Sequence, residues 1–242
     1  MSNHAKNAIE IRGLKRSFWR KTVLDGLDMA VPHGETHVLL GRNGAGKSTL
    51  FKVLLGALAP HAGAVSVLGL DPLRQGHLLR ARIGYVPTTP DAYRWMTYPD
   101  LCRFLAAYYP TWNPGRARDL AEQLDIPQRT SLKSMSRGEG MKAMLAAALA
   151  SDPELLLLDE PFAGLDPIVR EEVLRGVITH LKNERRTVLC TTHDLDVAAR
   201  IADRVVYLEG GRIVKEAVVE EARPDTLREE LVGAAAGVGE ER

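Results

Sequence analysis

Gly41-Arg42-Asn43-Gly44-Ala45-Gly46-Lys47-Ser48-Thr49 is the stretch whose residue types and spacing specify chemistry most directly. The apolar run Thr36 to Leu40 leads into it, and apolar residues at helical spacing (Leu50, Val53, Leu54, Ala57) follow. Strand, glycine-rich loop and helix in that order are the setting in which Gly-x-x-x-x-Gly-Lys-Ser binds phosphate. The glycines let successive backbone N–H groups curl around phosphate oxygens, and the following helix adds its positive dipole end. Lys47 is expected to reach the β- and γ-phosphates and the Ser48 hydroxyl to ligate Mg²⁺.

A second group lies at the end of an apolar run, Leu155-Leu156-Leu157-Leu158-Asp159-Glu160. In an open α/β sheet ligands sit at the carboxyl ends of strands. Asp159 therefore suits Mg²⁺ binding beside Ser48, and Glu160 suits proton abstraction from an attacking water. Two acids closing a strand are ordinary by themselves; the upstream phosphate loop is what makes them chemical. The run Thr187 to Thr191 ends the same way at Thr192-His193-Asp194, which brings His193 to that rim to bond the γ-phosphate or the water. Asp194 also suits the cap of the next helix. Ser136-Arg137-Gly138-Glu139 reads as a capping box ahead of an apolar helix. Gly138, a poor helix former, makes sense there if an anion must come close to the helix terminus.

These residues need a scaffold. Ile9 to Leu14 and Val23 to Val31 alternate as strands of a partly exposed antiparallel sheet, with Ser17-Phe18-Trp19-Arg20 on the turn between them. Ala64 to Leu68 and Ile83 to Val86 read as further strands. Pro87, Pro90 and Pro99 break the chain before helices at Asp100 to Tyr109 and Arg116 to Leu124, so about 88–134 reads as an inserted helical subdomain. Beyond it come helix Arg137 to Ala150, strand Leu155 to Leu158, helix Pro167 to Lys182, strand Thr187 to Thr191 and helix Leu195 to Ile201. Strands alternating with helices imply an α/β fold with a parallel sheet covered on both faces. Arg204 to Leu208 and Arg212 to Val219 read as edge strands, Pro224 to Leu231 as a short helix, and 233–242 as a frayed tail after a domain spanning 1–232.

With 242 residues, 45% of them hydrophobic, one domain can bury a full core. A net charge of +1 gives no reason to expect a nucleic-acid partner. Cys102 and Cys190 lack metal-type spacing. No signal peptide is expected at Met1 to Lys6, and no run approaches the roughly 20 apolar residues of a membrane span.

Taken together, the motifs resemble the ATP-binding subunit of ABC transporters over about Ile9 to Val219. Gly41 to Thr49 corresponds to the Walker A motif, with Gly41, Asn43, Gly44, Ala45, Gly46, Lys47, Ser48 and Thr49 as nucleotide contacts, and Leu155 to Glu160 to Walker B. Met135-Ser136-Arg137-Gly138-Glu139 stands where the family carries Leu-Ser-Gly-Gly-Gln, Gly164-Leu165-Asp166 matches the D-loop, and His193 the switch histidine. Phe18 falls where the family stacks an aromatic ring on adenine, with Trp19 as the alternative. Trp95-Met96-Thr97 and Tyr108 to Asn113 are similar to bacterial ABC-2-type exporter subunits.

The resemblance implies an α/β P-loop NTPase core with an N-terminal antiparallel β subdomain and an inserted helical subdomain. It implies ATP and Mg²⁺ as ligands and ATP hydrolysis coupled to export, at the cytoplasmic face of the membrane. It also implies a head-to-tail dimer in which Ser136, Gly138 and Asp166 of one subunit meet the nucleotide held by Lys47 of another, with transmembrane permease subunits docked on the helical block. Three positions depart from the pattern: Thr88 replaces glutamine, Arg137 replaces glycine and Glu139 replaces glutamine. They leave open a poorly hydrolysing regulatory subunit of a heterodimer, or a soluble non-transport ATPase of the same family. Arg137 could neutralise phosphate charge or point to solvent.

Overall fold

The computed structural model describes residues 7–89, 95–184 and 186–219, with backbone alone over 179–184. Met1 to Lys6, Pro90, the expected Pro224 to Leu231 helix and the expected tail at 233–242 lie outside the described residues.

Three strands, β1 (Asn7–Phe18), β2 (Lys21–Pro32) and β4 (Ala62–Val67), form an antiparallel sheet in the order β2-β1-β4. Six others form the core sheet in the order β5-β6-β7-β3-β8-β9: β3 (Thr36–Leu40), β5 (Ile83–Val86), β6 (Leu155–Asp159), β7 (Thr187–Thr192), β8 (Arg204–Glu209) and β9 (Arg212–Val218). All neighbours pair in parallel except β8 with β9. Every residue of β3, β6 and β7 is buried, which is why they read as continuous apolar runs.

Alternate side chains of these strands feed two cores. Leu155, Leu157, Leu39, Leu189 and Val206 face α1 (Lys47–Leu54) and the antiparallel sheet, where Leu50, Phe51 and Leu54 meet Ile9, Ile11 and Leu24. Leu156, Leu158, Val38, Val188 and Cys190 face the other way, onto α5 (Arg137–Ala150), α6 (Pro167–Glu184) and α7 (Leu195–Ile201). Helix α5 is buried nearly all round, and its run of alanines lets it lie close against the sheet. The inserted block supplies α3 (Tyr98–Ala106) and α4 (Pro114–Gln123), whose Leu101, Leu120 and Ala121 join the core around α5.

The expected elements form, with three corrections. Strand β8 is interior, paired to β3 on one side and β9 on the other, so of these two strands β9 alone is an edge. Helix α3 starts at Tyr98 because Thr97 caps it in a box with Asp100, and Pro99 sits in the first turn, where a missing N–H costs nothing. A five-residue helix α2 (Gly76–Arg80) also precedes β5. Its glycine-led, half-polar sequence carries no helical signal.

Candidate functional site

Strand β3 delivers the chain to Gly41, whose N–H donates to Thr192 O at 3.3 Å. A Cβ at Gly41 would fall 2.6 Å from Leu208 O, so only glycine lets the loop leave the sheet beside β8. Gly46 takes φ 113° at the N-terminus of α1, and a Cβ there would sit 2.9 Å from Val23 O. The loop is thus pressed against β2, and α1 begins with no side chain capping its first turn. The N–H groups of that turn have no intrahelical acceptors and remain available to an anion.

A cleft of about 380 Å³ opens above this turn, lined by Phe18, Val23, Asn43, Gly44, Gly46, Lys47, Ser48, Thr49, Thr88 and Glu160. Gly41 and Ala45 support the loop from behind, the latter packed against the core on the α1 face. Phe18 stands at the mouth, 40% exposed, with the Arg16 guanidinium 4.8 Å above its ring. Trp19, the alternative stacker, is fully exposed at the tip of the β1–β2 turn and does not line the cleft.

Lys47 is buried, and its ammonium reaches Gly41 O, Arg42 O (3.2 Å) and Glu160 Oε1 (3.0 Å). The other oxygen of Glu160 lies 2.9 Å from His193 Nδ1. Lysine, glutamate and histidine from the ends of three neighbouring segments therefore form one continuous polar chain. Glu160 takes a left-handed φ of 50°, and its N–H is held by Thr191 O (3.1 Å) and Thr191 Oγ1 (2.9 Å). The same hydroxyl donates to Asp159 Oδ1 at 2.8 Å. Thr191 thus fixes both acids. Its only trace in the sequence is a threonine in a buried strand, where β-propensity already explains it.

The two carboxylates mark their surroundings. Burial, then the nearby Asp159, pushes the Tyr85 hydroxyl up to about 12. Burial, followed by Glu160 and Asp159, holds the Cys190 thiol well above its ordinary range, so it stays protonated. Among the described residues no three His, Cys, Asp or Glu side chains cluster as a metal cage. Mg²⁺ usually takes one or two protein oxygens plus substrate phosphates; Ser48 lines the cleft, while Asp159 lies buried at the end of β6 and does not.

Ser136, Gly138 and Asp166 do not line this cleft. Ser136 caps α5, its Oγ accepting from Glu139 N (3.2 Å) while Glu139 accepts from Ser136 N (2.7 Å). Asp166 caps α6, accepting from Ile168 N and Val169 N at 3.1 Å. Within the chain Gly138 has a packing reason as well: a Cβ there would lie 2.2 Å from Val169 Cγ1. Gly138→Ala should therefore push α5 off α6, at the roughly 1–3 kcal/mol typical of overpacking. Thermal unfolding by circular dichroism should show a Tm several degrees lower, largely restored by adding Val169→Ala. Arg137 is exposed at the start of α5. Its guanidinium donates to Thr88 O at 3.4 Å and packs over Gly164.

A sequence model of the family described as "ABC transporter" matches residues 24–163. The Nod factor export ATP-binding protein I of Neorhizobium galegae is 36% identical over 234 residues, covering 93% of this chain and 65% of that protein. The aliphatic sulfonates import ATP-binding protein SsuB 1 of Nocardia farcinica is 39% identical over 231 residues, covering 91% of this chain and 88% of that protein. The daunorubicin resistance ATP-binding protein DrrA3 of Streptomyces coeruleorubidus is 36% identical over 227 residues, covering 92% and 72%. Among solved structures, the ATP-binding subunit of an ABC transporter superposes with a TM-score of 0.80 at 28% identity, over 93% of this chain and 99% of that one. Among the described residues no helix is long and apolar enough to cross a membrane.

Proposed function

Since this chain belongs to the ABC transporter family, among its ATP-binding subunits, we propose that it hydrolyses Mg²⁺-ATP as the motor of a membrane exporter. The observation that carries this reading is the Lys47–Glu160–His193 chain, closed at 3.0 and 2.9 Å, with Lys47 and Glu160 lining the cleft above the loop.

The residues divide the work as follows. The phosphate chain lies across the Gly41–Thr49 loop and the first turn of α1, whose N–H groups and dipole receive it. Phe18 offers its outer face to the base. Lys47 exchanges Glu160 for phosphate oxygens, and this releases the carboxylate to take a proton from water. His193 holds the opposite carboxylate oxygen, so Glu160 keeps its aim as its partner leaves. Ser48 and Asp159 would hold a Mg²⁺, which would supply charge neutralisation for the phosphates. The continuous contact of the three catalytic side chains favours an active hydrolase over a poorly hydrolysing regulatory subunit.

Ser136, Gly138 and Asp166 stay outside their own cleft because they serve the nucleotide of a second ATP-binding subunit, in a head-to-tail sandwich. The chain works peripherally at the cytoplasmic face of the membrane, with permease subunits seated on the helical block. Export follows the Nod factor export protein above; import is the second reading, favoured by the sulfonate importer subunit at 39% identity. A tagged copy purified from solubilised membranes should carry a multi-span permease with it and release phosphate from ATP. Recovery without a membrane protein, or with ribosomes or DNA, would contradict the transport assignment. Retention or loss of cargo on deleting the pair then separates export from import.

A further inference from the structure

His193 must hold Glu160 in line, yet its side chain is half exposed and it sits in the bend between β7 and α7. What fixes it is the residue on either side. Thr192 ends β7 in the core sheet, buried, and its carbonyl accepts from Gly41 N. Asp194 is tied three ways. Its N–H donates to Thr192 Oγ1 at 3.1 Å, and its Oδ1 caps α7 by accepting from Asp196 N (2.9 Å) and Val197 N (3.2 Å). Its Oδ2 accepts from Arg170 Nη2. The cap belongs to α7; the ion pair does not. It reaches across to α6, where Arg170 N donates to Asp166 O one turn into the helix that the D-loop starts. A cavity of about 90 Å³ lies directly between these groups, lined by Phe162, Gly164, Arg170, Thr192, His193 and Asp194. Without the arginine, the peptide bearing His193 would face that open space with a free carboxylate beside the imidazole. The carboxylate would then compete with Glu160 for it.

We propose that Arg170, acting through Asp194, is a positioning residue for His193: the pair holds the imidazole on Glu160 and makes the hydrolytic alignment depend on where the D-loop puts α6. This rests on Glu160 and His193 acting together in ATP hydrolysis, as argued above.

The two bonds of Asp194 can be separated. Asp194→Asn keeps a good N-cap for α7 and removes the charge that Arg170 pairs with. Arg170→Ala removes the other partner and leaves the cap untouched. Misplacing a catalytic group by a fraction of an ångström costs about tenfold or more in rate. Each variant should lower kcat for ATP about tenfold, with KM and equilibrium binding of a fluorescent ATP analogue changed less than about twofold. The double variant should be no slower than the slower single, because one interaction is being removed twice. Arg170→Lys, which retains the charge, should recover part of the rate.

Turnover within twofold of the parent in both single variants would overturn the proposal. So would a loss of nucleotide binding in proportion to kcat, or multiplicative losses in the double variant. If the parent protein itself released no phosphate, the proposed hydrolase would fail instead, and the two failures are distinguishable in one assay.

Discussion

Glu160→Gln should bind ATP, stop turning it over and accumulate as a dimer. Glutamine is nearly the same size as glutamate and keeps the backbone bonds to Thr191 and a hydrogen-bonding group beside His193. It lacks the basicity to take a proton from water. General-base catalysis contributes about 10²–10⁴-fold, so phosphate release should fall by at least about a hundredfold. Binding should hold or tighten. In the parent protein Glu160 competes with the phosphates for Lys47 at 3.0 Å, and the amide is a weaker competitor. With hydrolysis stopped, the nucleotide-bound species persists, and light scattering should report a doubled mass with Mg²⁺-ATP but not with ADP. Turnover within threefold of the parent would remove Glu160 from the role of base.

Lys47→Ala should fail twice, in binding and in stability. Among the described residues lining the cleft the ammonium is the only side-chain cation, and losing a charge-assisted contact to the phosphates should weaken ATP binding by about a hundredfold or more. The second loss arises within the protein. Lys47 and Glu160 are both buried, at 6% and 8% exposure, and removing one member of a buried pair leaves the other charge uncompensated. That costs about 3–5 kcal/mol, on the order of 10 °C in Tm for a domain of this size. Adding Glu160→Gln to Lys47→Ala should restore most of the Tm and none of the binding. Calorimetry and nucleotide titration on the same samples check both. An unchanged Tm in Lys47→Ala would mean that the ion pair contributes nothing to the fold.

What was readable in the sequence follows from how local each feature is. The phosphate loop is nine consecutive residues between an apolar run and helical spacing, and β3, loop and α1 form as that pattern requires. Glu160 and His193 were legible because each closes an apolar run at a strand end. Their contact with each other and with Lys47 was not: it depends on the strand order β6-β7-β3, which brings residues far apart in the chain to one rim. Thr191 was hidden because a threonine in a buried strand already suits the strand. The packing constraint on Gly138 was hidden because it comes from Val169 on another helix, invisible to any local rule. Strand β8 reads as an edge in the sequence, yet parallel pairing with β3 places it inside. The contacts of Arg137 with Thr88 O and Gly164 were hidden because both are to backbone, which carries no residue-type signal.

The central claim is that ATP is clamped between the Lys47 loop of one subunit and the Ser136 turn of another. A crystal or electron-microscopy structure of Glu160→Gln with Mg²⁺-ATP tests it most directly. The account predicts two nucleotides per dimer, each with its γ-phosphate between Lys47 of one chain and the first turn of α5 of the other. ATP bound in each cleft with both Ser136 turns facing solvent would contradict it.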